Sequence, residues 1–441
     1  MTNLLPDWFL AETVSRAGSL HLRQGYGGLA TLSAVAPRRA KVEARERGGG
    51  RTGGQKYRRL PIRRSLLLVY NPTMKHATVA LFACLAVTAV LSAQGANQPP
   101  GCAPAGGLSF VCGIINGEDL VFVPDSSWLL ASGMAAGSGL HAVDTKAKAV
   151  RILYGGATAA ARADKARFAN CPGPLDPKQA VLHGLSLRPA TPGVASGSSR
   201  TSPTGRYPVY ATNHGGRESI EVFEVTTAGG TPAATWIGCV LLPTGLTANS
   251  VAAFTEGSLL ATVLIMPGKT FEDAFARRPT GIVLAWKPGE KAFRQLPGTE
   301  LSANNGIETS PDDREFYVAS TTTKRIIAYA REKPGVPLRT AQLKEVGPDN
   351  VRWMADGTLI TAGVIDNEPS CGGPPKDEAG IRCPRGFVAF SINPKTMAVT
   401  EIARGPATPA FTGTAIAMRV GNELWLGSFF ADRLAYRVLP R

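Results

Sequence analysis

SPDDREFYVAS (310–320), followed after TTTK by RIIAYA (325–330), is the stretch on which the fold turns. A Pro-Asp-Asp turn leads into aromatic and β-branched residues. A second polar turn leads into another β-rich run. This is the signature of consecutive hairpins. Working outward, the same turn-then-strand unit recurs as VPDSSWLLASG (123–133), TEGSLLATV (255–263), MADGTLITAG (354–363) and VGNELWLGS (420–428). YPVYATNHGG (207–216) is the second strand of a further unit. Third strands follow as SIEVFEV (219–225), GIVLAW (281–286), GFVAFSI (386–392) and RLAYRVL (433–439).

The turns fall near 125, 205, 256, 312, 356 and 421. Six units of this size predict an all-β fold, a six-bladed β-propeller of four-stranded blades spanning 105–441. The competing architecture is a pair of β-sandwiches. Irregular spacing is loop length: 190–206 reads as a flexible loop, and 365–385 as a disulfide-tied one. FEDAFARRP (271–279) and 365–385 are candidate pocket walls. ATAAARADKARFAN (157–170), rich in Ala with periodic charges, predicts the one clear helix.

Composition bounds the classes. The chain has 441 residues, 44% hydrophobic and 18% charged, which is enough apolar content for a packed core. The net charge of +15 is concentrated at the start, where residues 1–73 hold 13 Lys and Arg against 4 Asp and Glu. A basic patch on the body is therefore not expected, nor is a nucleic-acid partner. Beyond the first hundred positions no apolar run reaches membrane-spanning length, which excludes a polytopic membrane protein.

MKHATVALFACLAVTAVLSA (74–93) has the form of a secretory signal peptide. Lys75 and His76 precede an apolar stretch from Ala77 to Leu91, and small residues mark the cleavage site. Residues 1–73 read as a leader without packed structure, or as sequence upstream of a true start at Met74. The expectation is a secreted or periplasmic monomer with no stable membrane span after cleavage. Cysteine usage agrees. Cys84 lies in the signal, and Cys102, Cys112, Cys171, Cys239, Cys371 and Cys383 remain as an even set suited to disulfides. Their order does not dictate the pairing, although Cys371 with Cys383 is the nearest-neighbour expectation. There is no CxxC, and only His141, His183 and His214 follow the signal, so a structural zinc site is not expected.

Chemistry-bearing residues sit just before the strands that open the units. Glu118 lies in NGEDLVFV, Asn249 in TANSVAAF, Asn305 in ANNGIETS, and Asp349 and Asn350 in PDNVRWMADG. Equivalent positions of propeller blades face one axis. Two carboxylates and three amide oxygens converging there form a hard, oxygen-only set suited to Ca²⁺. The competing reading is turn capping, the usual task of Asn and Asp before a strand. His183 in LHGLSL and His214 in ATNHGG are able to take a proton from water near neutral pH. Their competing reading is as core or turn histidines.

With these motifs in view, the chain resembles the paraoxonase-type arylesterase/lactonases, within the calcium-dependent propellers that include SMP-30-like gluconolactonases. The resemblance covers about 108–440 and also includes ELWLGSFFADRLAYRVL. It implies that Glu118, Asn249, Asn305, Asp349 and Asn350 ligate a catalytic calcium, and that His183 and His214 form a dyad that activates water. It further implies Asp119 as a ligand of a second, structural calcium. The family carries Asn-Asp where this chain has Asn249-Ser250, a lost carboxylate that puts the second ion in question. The family's cysteine link between chain ends has no partner after Cys383. The implied activity is hydrolysis of a small lactone or ester by direct attack of water, and no GxSxG nucleophile elbow occurs. The alternatives are a sugar-lactone or organophosphate hydrolase on the same site, or an exported propeller that binds a ligand or protein without turnover.

Overall fold

A computed structural model describes residues 101–124, 126–188 and 205–440. The leader, the signal stretch and most of the 190–206 loop lie outside the described residues. Six four-stranded antiparallel sheets make up the body. The chain is the six-bladed propeller that the hairpin units predict.

Each of blades one to five is built from four consecutive strands, beginning with β2 (Leu120–Phe122), β6 (Leu182–Leu187), β10 (Val251–Ala253), β14 (Asn304–Thr309) and β18 (Val351–Trp353). The sixth blade starts at β22 (Thr414–Val420), and its outer strand comes from the other end of the chain. β1 (Ser109–Cys112) pairs with β24 (Arg433–Val438) in antiparallel register, Ser109 opposite Tyr436. The ring is thus closed by main-chain hydrogen bonds. A closed ring leaves no long open sheet edge between first and last blades.

Three of the inner strands, β2, β10 and β18, are only three residues long and largely buried. β10 is Val-Ala-Ala, with all three residues buried. Neighbouring sheets pack through large side chains such as Trp236, Trp425, Tyr154 and Tyr329, all essentially inaccessible. The outermost strands face water. β17 (Lys333–Gln342) is mostly exposed, so it carries little hydrophobic pattern.

The helix expected over 157–170 is absent. The segment instead runs extended along β9 (Ala233–Leu241), the outer strand of blade two. Ala161 bridges Trp236 in parallel. Arg162 N–H donates to the Trp236 carbonyl at 2.8 Å and Asp164 N–H to that of Ile237 at 2.7 Å. Alanine-rich helix propensity is worth a few tenths of a kcal/mol per residue. It loses here to pairing with an edge strand and to the Cys171–Cys239 disulfide, which anchors the segment's end.

Three disulfides form: Cys102–Cys112, Cys171–Cys239 and Cys371–Cys383. The last is the pair expected from the sequence. The first ties the approach to β1 back on itself. Cys171–Cys239 spans 68 positions, so it restrains the unfolded chain most. The double variant Cys171→Ala/Cys239→Ala is expected to lose about 4 kcal/mol by loop-closure entropy. Denaturant melts of both forms under oxidising conditions check this.

His141, in β4 (Gly139–Asp144), is 5% exposed, and its Nδ1 has no partner among the described residues. Burial pushes its pKa down from 6.5 to about 4, against the opposing hydrogen bond to the Gly139 backbone. The unfolded chain therefore takes up this proton near pH 6.5 and the folded chain only near 4. Stability is lost as pH falls through that window, by about 3 kcal/mol for this group. Urea melts between pH 7 and 4 should show a shallower acid decline in His141→Asn than in the parent.

Candidate active site

A cavity of about 250 Å³ opens where the inner strands of the blades converge, with Glu118, His183, Asn249, Asn305 and Asp349 in its lining. These residues come from five different blades or their lead-ins. Glu118 precedes β2, and Asn249 precedes β10. Asp349 and Asn350 precede β18. Asn305 stands at the irregularity in β14, where register slips between Asn304 and Ile307. His183 stands at the equivalent slip in β6, between Leu182 and Leu185.

Two glycines let the inner strands come this close. A β-carbon on Gly184 would stand 2.5 Å from the Ser250 Cα. One on Gly306 would stand 2.5 Å from the Asp349 carbonyl oxygen and 2.6 Å from the Asn350 Cα. Each glycine directly follows a site residue, His183 or Asn305.

The polar groups at the floor divide into donors that are used and oxygens that are not. Asn350 Nδ2 donates to Glu118 Oε1 at 2.6 Å. The Asn305 side chain hydrogen-bonds the Asp349 carboxylate. Left without a partner among the described residues are four buried oxygens: Glu118 Oε2, Asn249 Oδ1, Asn305 Oδ1 and Asn350 Oδ1. Unsatisfied buried acceptors are costly, and natural structures rarely leave several together. Burial and the negative charges of Glu118 and Asp119 hold the Asp349 carboxyl well above the usual carboxylate range. Crowded negative charge and unpaired oxygens fit a hard cation, which would relieve both. Among the described residues no three His, Cys, Asp or Glu side chains form a metal cluster. The fit rests on amide oxygens together with the carboxylates.

Beside this floor runs a chain of titratable groups. His183 Nε2 lies 3.6 Å from Glu118 Oε1. His183 Nδ1 and His214 Nε2 are 3.1 Å apart, and His214 Nδ1 is 2.9 Å from Glu218 Oε2. Glu218 cannot donate when ionised, so the pattern assigns the His214 proton to Nδ1 and makes its Nε2 an acceptor for His183 Nδ1–H. His183 Nε2 is then the unprotonated nitrogen. Burial lowers the His214 pKa, and its hydrogen bond to Glu218 opposes that shift.

The walls are mostly apolar, with Arg277 and Asp366 among them, and come largely from the two loops named in the sequence. Helix α1 (Phe271–Phe275) is only five residues long and is held by a capping box between Thr270 and Asp273. It presents Phe271 and Phe275 to the cavity. The opposite loop holds helix α2 (Glu378–Arg382), the Cys371–Cys383 disulfide and Arg385. The buried Arg385 guanidinium donates to the carbonyls of Ile365, Gly373 and Gly380, which fixes Pro374, Pro375 and Ile381 along the wall. Phe429 and Phe430, packed edge-to-face at 4.4 Å, complete the rim.

Three sequence-identified residues do not line the cavity: Asn350 and His214, which reach it through Glu118 and His183, and Asp119. Asp119 is fully buried below it, and its carboxylate takes a hydrogen bond and ion pair from Arg352. Burial raises its pKa and the guanidinium pulls it back. The sequence reading missed Glu218 and Arg352. The spacing of four between His214 and Glu218 was the available signal for the first. A lone Arg inside the apolar inner strand Val351–Trp353 was the signal for the second.

No protein-family model matches the sequence, and no curated protein matches it significantly. Among solved structures, a gluconolactonase from Xanthomonas campestris is similar at 15% identity, over 76% of this chain and 89% of that one, with TM-score 0.42. The calcium-binding protein regucalcin from Agrobacterium tumefaciens is similar at 13% identity, over 76% and 95%, with TM-score 0.43. The WD40 propeller domain of Doa1 scores much the same, at 11% identity, 75% and 96% coverage, and TM-score 0.40. Proteins of such different description match equally well, so what this chain does has to be read from its own site.

Gly306→Ala is expected to force β14 and the Asp349–Asn350 lead-in apart, because no side-chain rotation relieves a clash with backbone. Overpacking of this kind costs about 1–3 kcal/mol. A thermal melt of the variant against the parent checks it.

Proposed function

We propose that the chain is an exported, calcium-dependent hydrolase of small lactones or esters. The observation that carries this reading is the position of His183: its Nε2 stands 3.6 Å from Glu118, beside four buried oxygens without a partner among the described residues, in a mostly apolar cavity. A base, an oxygen-only cation site and a greasy pocket together are what uncatalysed ester hydrolysis lacks.

Glu118, Asn249, Asn305, Asp349 and Asn350 would hold the ion, and calcium suits the donor set because all five offer oxygen. When bound, the cation supplies Lewis-acid polarisation of a carbonyl and offsets charge developing on its oxygen. The protein's own groups do the proton work. His183 Nε2 takes a proton from a water as its oxygen adds to the carbonyl carbon. His214 holds the His183 ring in one tautomer through Nδ1, and Glu218 holds His214 in turn. Glu118 and the His214–Glu218 pair stabilise the imidazolium. The imidazolium returns the proton to the departing alkoxide, so lactone plus water gives the hydroxy acid. The phenylalanine walls orient the apolar part of the substrate and thin the water around the reacting carbonyl. No acyl-enzyme is expected.

Three disulfides support an oxidising compartment. Among the described residues no helix is long and apolar enough to cross a membrane.

Hydrolysis of a panel of lactones and aryl esters, with calcium and then with chelator, tests the reading. Turnover is expected with calcium and lost on chelation. His183→Gln should lower kcat by about 10²–10⁴-fold while calcium binding persists. Unchanged turnover in that variant removes His183 from the mechanism. Calcium binding without turnover of any substrate shifts the reading to a ligand-binding propeller, and no calcium binding removes the ion from the site.

A further inference from the structure

Directly beneath the cavity floor, Arg352 extends from β18 of blade five across the axis. Its guanidinium contacts four inner strands at once. Nη2 donates to the Asp119 carboxylate of blade one and to the Leu185 carbonyl of blade two, the latter at 2.6 Å. Nη1 donates to the Ile307 carbonyl of blade four at 3.2 Å and to that of Val351 at 2.6 Å. Arg352 is 3% exposed and Asp119 fully buried. The Asp119 carboxylate is further held by the backbone N–H groups of Leu120 at 2.8 Å and Leu185 at 2.7 Å.

The acceptors around this guanidinium are one carboxylate and three main-chain carbonyls, from blades spread around the ring. That is an oxygen cage of the composition a divalent ion takes. Beside it stands Ser250, fully buried, with an Oγ that has no partner among the described residues. Ser250 packs against Gly184, the residue before Leu185. The charge count explains the pairing. A cage with carboxylates at both 119 and 250 would need a double positive charge for neutrality. With serine at 250, one carboxylate remains, and a single guanidinium balances it.

We propose that Arg352 is the chain's built-in axial cation. Its guanidinium occupies a latent divalent-ion site made by Asp119 and the carbonyls of Leu185, Ile307 and Val351, and the native chain takes up no ion there. Serine at 250 and arginine at 352 together leave the cage neutral without an ion. The consequence is that the lower axis keeps its integrity when free calcium is scarce, unlike a floor held by two ions.

Equilibrium dialysis with calcium alone, on the full chain, counts the ions. The double variant Arg352→Ala/Ser250→Asp is expected to hold one more calcium per chain than the parent. Its melting temperature should rise in calcium by more than the parent's. Arg352→Lys keeps a cation in the cage and should keep the parental count. A double variant that folds and binds only the parental number overturns the proposal, as does a parent that already holds two. If the double variant does not fold even in calcium, the parental count decides: none or one supports the internal cation, and two overturns it. A parental count of zero would sink the ion proposed for the cavity above, yet leave the expected gain of one in the variant untouched, so the two readings fail separately.

Discussion

Polar groups packed around the propeller axis have left water, and each must find a partner or carry the cost of desolvation. Glu118, Asp119 and Asp349 bring negative charge into one small volume, as the raised pKa values of Asp119 and Asp349 register. Two such carboxylates a few ångströms apart in a poorly screened interior repel strongly. The fold meets this in two layers. Lower on the axis, Arg352 neutralises Asp119 and ties four blades together. Further along blade two's inner strand, the buried Arg188 does a related task, reaching Thr309, Thr255 and Asp313 of the neighbouring blades. At the floor of the cavity no side-chain cation is present among the described residues, and oxygens stand without partners. The same chemistry is thus closed by protein below and left open to a ligand above.

That division separates a sealed layer of the axis from an open one. A buried ion pair contributes little net stability over an apolar substitute, but breaking it is costly. Arg352 with Asp119 is therefore best understood as a clamp that sets geometry: Asp119 is the neighbour of Glu118, and Leu185 lies two residues from His183. Pinning Asp119 and both the N–H and C=O of Leu185 fixes the two side chains whose separation matters most above. The His183–His214–Glu218 series fixes the same imidazole from its other side. Rigid support from both directions holds the imidazole in one place.

The pocket walls follow a different logic. They belong to loops between strands, where sequence is free of blade packing. A five-residue helix and an irregular loop have little cohesion of their own. Each is held by specific local bonds, the Thr270–Asp273 capping box on one side and the Cys371–Cys383 disulfide with Arg385 on the other. The aromatic faces they present are held by those bonds, so wall shape is separable from the axial chemistry.

By itself the sequence determined the repeat, the blade number, the residues of the cavity floor and the histidine pair. Those features are local: hairpins follow from turn residues and period-two patterns, and polar side chains at the start of inner strands inherit their direction from the blade. Outer strands such as Lys333–Gln342 were weakly written, because a half-exposed edge needs little apolar pattern. The segment 157–170 was misread for the converse reason, since a real helix propensity yielded to an edge strand and a disulfide. Only the tertiary structure decided which cysteines pair around Cys102 and Cys171, and that Glu218 completes the histidine series. It also decided that Arg352 meets Asp119, 233 positions away in the chain. Partners at that separation leave no periodic trace, because it is ring closure around an axis that brings them together.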